Sequence, residues 1–538
     1  MRSLFSLIGL NIVPRVLGII TATLTEYVTL DIGSVEGNPR SDNGILSFKG
    51  IPYAQPPTGN LRWNSPREIV GWKGTLNSTV FGSSCYASTD FEPYYTPPSE
   101  NCLFLNIWSG AEHATEKRPV KIWIHGGGFQ FGGSAQSVYD GSNLAGEGVV
   151  IVTINYRLGV FGFLALPELD EEDTSSGDFG LQDQQLALKW VKRHISAFGG
   201  DPDNVTVFGQ SAGGHSIGIL MSSPRSEGLF AKAILESGAF WDSGAGPIKT
   251  SSQARAQGLQ FKQKLGVTSL ADLRAMSAAE INNAAPWNTA TDPKITAFAP
   301  SIDNYVIYSA PGRVFDNGQQ IKVHVLAGWT SFEQGLFLPF GLSGVSKSDY
   351  ETGLHDYFGC GYLIALELYP DSTPVELGMS AGDLAGDMVI REQTFTALDS
   401  HYLTAGLPSG SVWAYYFTYT SPYLPIAIHT AELPFVFGNL GPNPVFGPTE
   451  PPPSIADFTF SKTIMSYWTN FAKFGNPNGN TLPLWPKHVG GGSALLELGD
   501  AVAADNYDFS RYRFLASFRT DGVFPERWAD VNVSAIGS

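Results

Sequence analysis

Phe198-Gly199-Gly200-Asp201-Pro202-Asp203-Asn204-Val205-Thr206-Val207-Phe208-Gly209-Gln210-Ser211-Ala212-Gly213-Gly214 is the stretch on which the fold turns. A β-branched run from Val205 to Phe208 feeds directly into a serine flanked by glycines, which spells a strand entering a sharp turn. In that context G-x-S-x-G holds a hydroxyl clear of the sheet, and Gly209 and Gly213 leave room for strand and following helix to pack beneath it. Working outward, similar apolar runs occur at Val120 to Ile124, Val149 to Ile154, Ala233 to Leu235 and Val323 to Ala327. Between two of them Leu186, Trp190, Val191, Ile195 and Phe198 recur at helical spacing from a polar start at Asp183. Apolar runs without alternation, separated by helices, predict strands buried on both faces: an α/β architecture with a mainly parallel central sheet flanked by helices. In such sheets chemistry sits beyond the carboxyl ends of the strands.

The rest of the chain bounds the problem. Its 538 residues are 43% hydrophobic and 15% charged, enough to bury a large core. No internal repeat, linker or charge block divides it, and the Pro-rich stretch from Asn443 to Pro453 reads as a surface loop. With 33 Lys and Arg against 50 Asp and Glu the formal net charge is −17, and no basic cluster stands out. Nucleic acid and anionic membranes are poor partners for such a surface. Residues 1–23 carry Met1-Arg2 and a largely apolar run from Leu4 to Ile20, the pattern of a secretory signal with Ala22 a candidate end. No later segment is apolar for long enough to span a bilayer, so stable membrane insertion is not expected. The cysteines are Cys85, Cys102 and Cys360. A secreted context would let Cys85 and Cys102 pair, leaving Cys360 as a buried, inert thiol. Neither a paired CxxC nor HExxH occurs, so no metal or cofactor is expected.

Val120-Lys121-Ile122-Trp123-Ile124 runs into His125-Gly126-Gly127-Gly128-Phe129, a match to the HGGG-type oxyanion loop of esterases. Glycine amides can point at a developing oxyanion where side chains would block the substrate, so Gly127, Gly128 and the amide of Ala212 are the candidate donors. A serine hydroxyl needs a base, which follows it in the order Ser, acid, His. Five histidines lie well downstream: His324, His355, His401, His429 and His488. His215, four residues past the serine, is expected to be structural. Chain order does not choose among the five.

The chain resembles the type-B carboxylesterase/cholinesterase family. The resemblance rests on the stretch quoted first, on Gly50-Ile51-Pro52-Tyr53-Ala54 with Pro56-Pro57, on Glu100-Asn101-Cys102-Leu103-Phe104-Leu105-Asn106, and on Asn155-Tyr156-Arg157-Leu158-Gly159. It covers almost everything from Thr29 onward. It implies one α/β-hydrolase domain over 24–538, with loop and helical insertions, that cleaves small-molecule esters. His429-Thr430-Ala431-Glu432-Leu433-Pro434-Phe435 looks like the histidine motif and Gly328-Trp329-Thr330-Ser331-Phe332-Glu333 like the segment of the triad acid. The resemblance therefore implies Ser211 as nucleophile, His429 as base and Glu333 as acid, with Ser237 supporting the acid. Glu432 is the rival carboxylate.

Several positions depart from the family pattern. Phe332 replaces an acidic neighbour of the acid, and Gln334 separates Glu333 from a glycine that commonly follows it. Asn101 stands where Asp is usual and Gln210 where Glu is usual, and neither exchange is expected to touch the bond-making atoms. Between Cys85 and Cys102 lie Tyr86, Phe91, Tyr94 and Tyr95 but no tryptophan, which disfavours cholinesterase activity. That loop is short and studded with proline, so soluble esters are expected ahead of lipid droplets; a triacylglycerol or sterol-ester lipase is the alternative. A silent adhesion-type homologue is less consistent with a filled triad. Phe240 and Trp241 are candidates for an acyl pocket. Asn77-Ser78-Thr79 and Asn532-Val533-Ser534 are glycosylation candidates, while Asn204 is discounted because it opens a buried strand.

Overall fold

The computed structural model describes residues 23–89, 92–172, 176–241, 248–285, 297–333, 346–406, 412–441, 451–492 and 494–520. Residues 1–22 of the candidate leader, Phe91, Gln334, most of the Pro-rich stretch and Asn532 lie outside the described residues.

Among the described residues ten strands form the central sheet: β1 (Leu46–Pro52), β2 (Phe104–Ser109), β3 (Arg118–Ile124), β4 (Val150–Ile154), β5 (Gly200–Gln210), β6 (Lys232–Glu236), β7 (His324–Thr330), β8 (Val412–Phe417), β9 (Ala494–Leu498) and β10 (Val502–Asn506). Their spatial order is β10-β9-β8-β7-β6-β5-β3-β4-β2-β1. Neighbours from β4 through β9 run parallel. The pairs β1·β2, β2·β4 and β9·β10 are antiparallel. The sheet is thus mixed, with the expected parallel centre and antiparallel margins. All five strands predicted from apolar runs are present.

The winding direction reverses where β3 lies between β4 and β5. That places the carboxyl ends of β3 and β5 side by side at a topological switch point, with Ile124 in register with Gly209. The two motifs that matter most, 80 residues apart, are therefore neighbours.

Both sheet faces are dry. Ile122, Ile124, Val205, Val207 and Leu235 belong to one core, which also takes Leu186, Trp190 and Val191 from helix α1 (Phe179–His194) and Ile217 and Leu220 from α2 (Ala212–Ser222). Trp123, Phe208, Ile234, Leu326 and Trp413 belong to a second core with Trp468 and Phe471. Each such side chain stabilises by about 1.5–3 kcal/mol on burial. Trp468 and Phe471 ride on α5 (Ile455–Phe474), which Ser454 and Asp457 cap reciprocally and Gly475 ends at φ 65°. The insertion between β7 and β8 carries α3 (Pro374–Gly386), a π-helical turn at Asp387–Arg391, and α4 (Glu392–Thr404).

Two expectations are corrected. Helix α1 starts at Phe179, not at Asp183. Asp183 is a buried helix residue whose carboxylate takes three bonds from Arg157, two from the guanidinium at 2.8 and 2.7 Å and one from the backbone amide at 3.0 Å, so its polarity marks an ion pair and not a cap. Cys360 is exposed, not buried. Cys85 and Cys102 are joined as a disulfide. No described helix is long and apolar enough to cross a membrane.

Candidate active site

Strand β5 ends at Gln210, and Ser211 follows with φ 56° and ψ −124°, a conformation L residues avoid unless the surroundings impose it. Here they do. The Ser211 amide donates to the Glu236 carbonyl at 2.9 Å, and His215 N–H donates to the Ser211 carbonyl at 2.8 Å as α2 begins. A Cβ on Gly213 would lie 2.0 Å from the Ile124 carbonyl oxygen. Only glycine lets the helix start this close to β3, which is what presses the serine into its turn.

β3 runs into His125-Gly126-Gly127-Gly128. Gly127 sits at φ 104°, and its carbonyl accepts the amides of Gln130 and Phe131 at 2.8 and 3.1 Å, closing a tight turn beside the elbow. The loop is braced from below: the His125 ring stacks on Tyr156 with centroids 4.5 Å apart, and the Tyr156 hydroxyl donates to the His125 carbonyl at 2.9 Å. Burial pushes His125 down to about 4, so it is a neutral packing group. Asn155 Oδ1 accepts the Ser134 amide at 2.9 Å. Asn155 and Tyr156 thus brace the glycine loop, while the neighbouring Arg157 turns to Asp183.

The third part comes from the far side of the sheet. Glu333 follows β7 and is fully buried. Its Oε1 accepts the Ser237 hydroxyl at 2.6 Å and the Thr330 amide at 2.7 Å, and its Oε2 lies 2.5 Å from His429 Nδ1. Burial pushes this carboxyl up, but attraction and hydrogen bonding from His429, the nearby Arg391 charge and the Ser237 hydroxyl outweigh it and hold the group below its usual range. Arg391, in the π-helical turn, donates to the Ser331 carbonyl at 2.7 Å and pairs with Asp387 at 2.6 Å, clamping the turn from outside. With its Nδ1 committed to a carboxylate, the imidazole presents Nε2, the nitrogen a general base uses.

Of the five histidines left open, only His429 reaches the elbow. His401 bonds the Val323 carbonyl, His488 pairs with Asp399 at 3.0 Å, His355 is exposed on its helix, and His324 lies at the start of β7. His215 is structural as expected: its Nδ1 accepts the amides of Ala239 and Trp241, both at 3.1 Å, and burial together with the His429 field pushes it down to about 3. The rival Glu432 does not pair with His429. It is fully buried, and burial plus the neighbouring Glu236 and Glu333 carboxylates raise it well above the usual range, which suits a protonated structural group. Phe240 is a core residue packed on Phe315, so it drops out as an acyl-pocket candidate; Trp241 remains half-buried, edge-on to Phe129 at 4.8 Å.

One contact overturns an expectation. The side-chain amide nitrogen of Gln210 lies 3.0 Å from His429 Nε2, so the Glu-to-Gln departure touches the nitrogen that would take the serine's proton. Its place directly before the serine was the available signal. The alternation of the strand carries that side chain toward the imidazole, and no local pattern shows what lies opposite.

The model of the Carboxylesterase family matches residues 25–515. The para-nitrobenzyl esterase of Bacillus subtilis (strain 168) is 35% identical over 494 residues, covering 89% of this chain and 96% of that protein. The cholinesterase of Mus musculus is 33% identical over 503 residues, covering 85% and 81%. A solved PNB esterase superposes with a TM-score of 0.77 at 34% identity, covering 91% of this chain and 99% of the other.

Proposed function

Because the chain belongs to the carboxylesterase family, has the α/β-hydrolase fold and is a carboxylic ester hydrolase, we propose that it works through an acyl-enzyme on Ser211. The Ser211 hydroxyl attacks the ester carbonyl while His429 Nε2 takes its proton. Glu333 holds Nδ1–H and stabilises the imidazolium. The amides of Gly127, Gly128 and Ala212 receive the oxyanion, each donor being worth about 2.7–4 kcal/mol in the transition state. His429 returns the proton to the leaving alcohol, and water activated by the same imidazole hydrolyses the acyl-enzyme. The observation that carries this is the His429–Glu333 pair meeting the chain at the residue before Ser211. Replacing Ser211 by Ala is expected to lower kcat by about a millionfold on p-nitrophenyl butyrate and to abolish labelling by a fluorophosphonate; retained labelling would overturn the assignment.

Soluble esters are the favoured substrates. The described part of the Cys85–Cys102 loop is tied down: Tyr94 donates to the Ala87 carbonyl at 2.8 Å, Tyr95 to Glu92 at 2.7 Å, and Asn282 to Ala87 at 2.9 Å. A loop so fastened suits a fixed entrance better than a lid that opens on lipid. A rate that jumps only above the solubility limit of a long-chain ester would favour the lipase instead. Secretion through residues 1–23 is also proposed, with Asn77 glycosylated. Asn77 is exposed, and its Oδ1 accepts the Thr79 hydroxyl at 2.6 Å. Expression through a secretory pathway should yield a glycosidase-sensitive mass increment that Asn77→Gln removes.

A further inference from the structure

The geometry points to Gln210 as a positioning residue that sets the proton state of the catalytic imidazole through Nε2. This rests on His429 being the base. Gln210 is 2% exposed, so water does not compete for its amide. The 3.0 Å contact joins two nitrogens, of which one must donate. The amide can donate always, the imidazole only when Nε2 carries a proton. With Glu333 holding Nδ1–H at 2.5 Å, the consistent arrangement is an N–H of Gln210 given to a bare Nε2.

That arrangement favours the neutral imidazole, the form a base must have before it acts. A carboxylate at the same position would do the opposite, accepting from a protonated Nε2 and holding the base spent.

The other groups that bear on His429 do not duplicate the effect. Glu333 acts on Nδ1, and His215 on α2 is neutral, its own Nδ1 taken up by the Ala239 and Trp241 amides. Arg391 acts on Glu333, while Glu432 and Glu236 lie within the same buried carboxylate cluster.

The test is the pH dependence of kcat/KM on p-nitrophenyl butyrate, a neutral ester, for wild type, Gln210→Met and Gln210→Glu, with His429→Ala as a control. Gln210→Met removes the donor at similar volume, and its acidic limb should move to higher pH by about half a unit or more. Gln210→Glu adds an opposite charge, and the limb should move up by about one unit or more. KM should change less than the limb does. An acidic limb unmoved in either variant overturns the proposal, whatever the rates, because a merely structural role lowers activity at all pH values alike. If Gln210→Met does not fold, Gln210→Leu removes the same donor and is read in its place. Activity surviving in His429→Ala would instead sink the assignment of the base, a failure separate from this one.

Discussion

The elbow side of the site and the carboxylate side are built by opposite means. At the elbow, Ser211, Gly213 and the glycine loop are fixed by backbone: forbidden torsions, missing Cβ atoms and the Ser211 amide given to the Glu236 carbonyl. On the other side, Glu333 is held by the Ser237 hydroxyl after β6, the Thr330 amide on β7 and His429 before α5, with the Arg391 charge in the π-helical turn nearby. Geometry made by backbone tolerates almost no added atom. A charge held by several donors fails when its chemistry changes, even if its shape is kept.

The largest effect that can separate the two is on the carboxylate side. Glu333→Gln preserves shape but presents an amide to His429 Nδ1, which can stabilise the wrong tautomer. We expect kcat to fall by about 10⁴ with KM little changed, measured on p-nitrophenyl butyrate. On the elbow side Gly213→Ala keeps all the chemistry and adds one methyl where 2.0 Å is available. The displaced turn should cost about 100-fold in kcat, together with a lower melting temperature. If Glu333→Gln melted the protein while Gly213→Ala was silent, the contrast would be reversed.

The same division explains what the sequence disclosed. Gly209-Gln210-Ser211-Ala212-Gly213 and His125-Gly126-Gly127-Gly128 are legible because backbone geometry is dictated within a few residues. Strand β5 and its partner strands were legible because burial on both faces writes an unbroken apolar run. The histidine was not, since five candidates satisfied chain order and only the likeness to a family chose His429. Arg391 and the Gln210 contact were invisible for the same reason: each acts across elements far apart in the chain, and nothing in its local pattern says what it will face. Asp183 misled because a buried ion pair and a helix cap look alike in one dimension.

The smallest effect sharpens the carboxylate side from within. Glu333 and Glu432 are both fully buried near His429, yet the first is held charged by its donors, and the second is raised by burial and by the carboxylates of Glu236 and Glu333. A carboxyl raised in the folded state binds a proton that the unfolded chain releases at its ordinary value near 4.3. Its stabilising contribution is complete below that value and is lost as pH rises toward the folded-state value, because there the native state binds more protons than the unfolded one. Glu432→Gln deletes this linkage while keeping a neutral group of the same shape. The variant should therefore match wild type near pH 4 and resist denaturant increasingly better than wild type as pH rises from 5 to 8. Its activity should stay within about threefold, under ~1 kcal/mol. A difference in denaturation midpoint that stays flat from pH 5 to 8 would mean that Glu432 is already charged in the native protein, and the two carboxylates would then no longer be opposites.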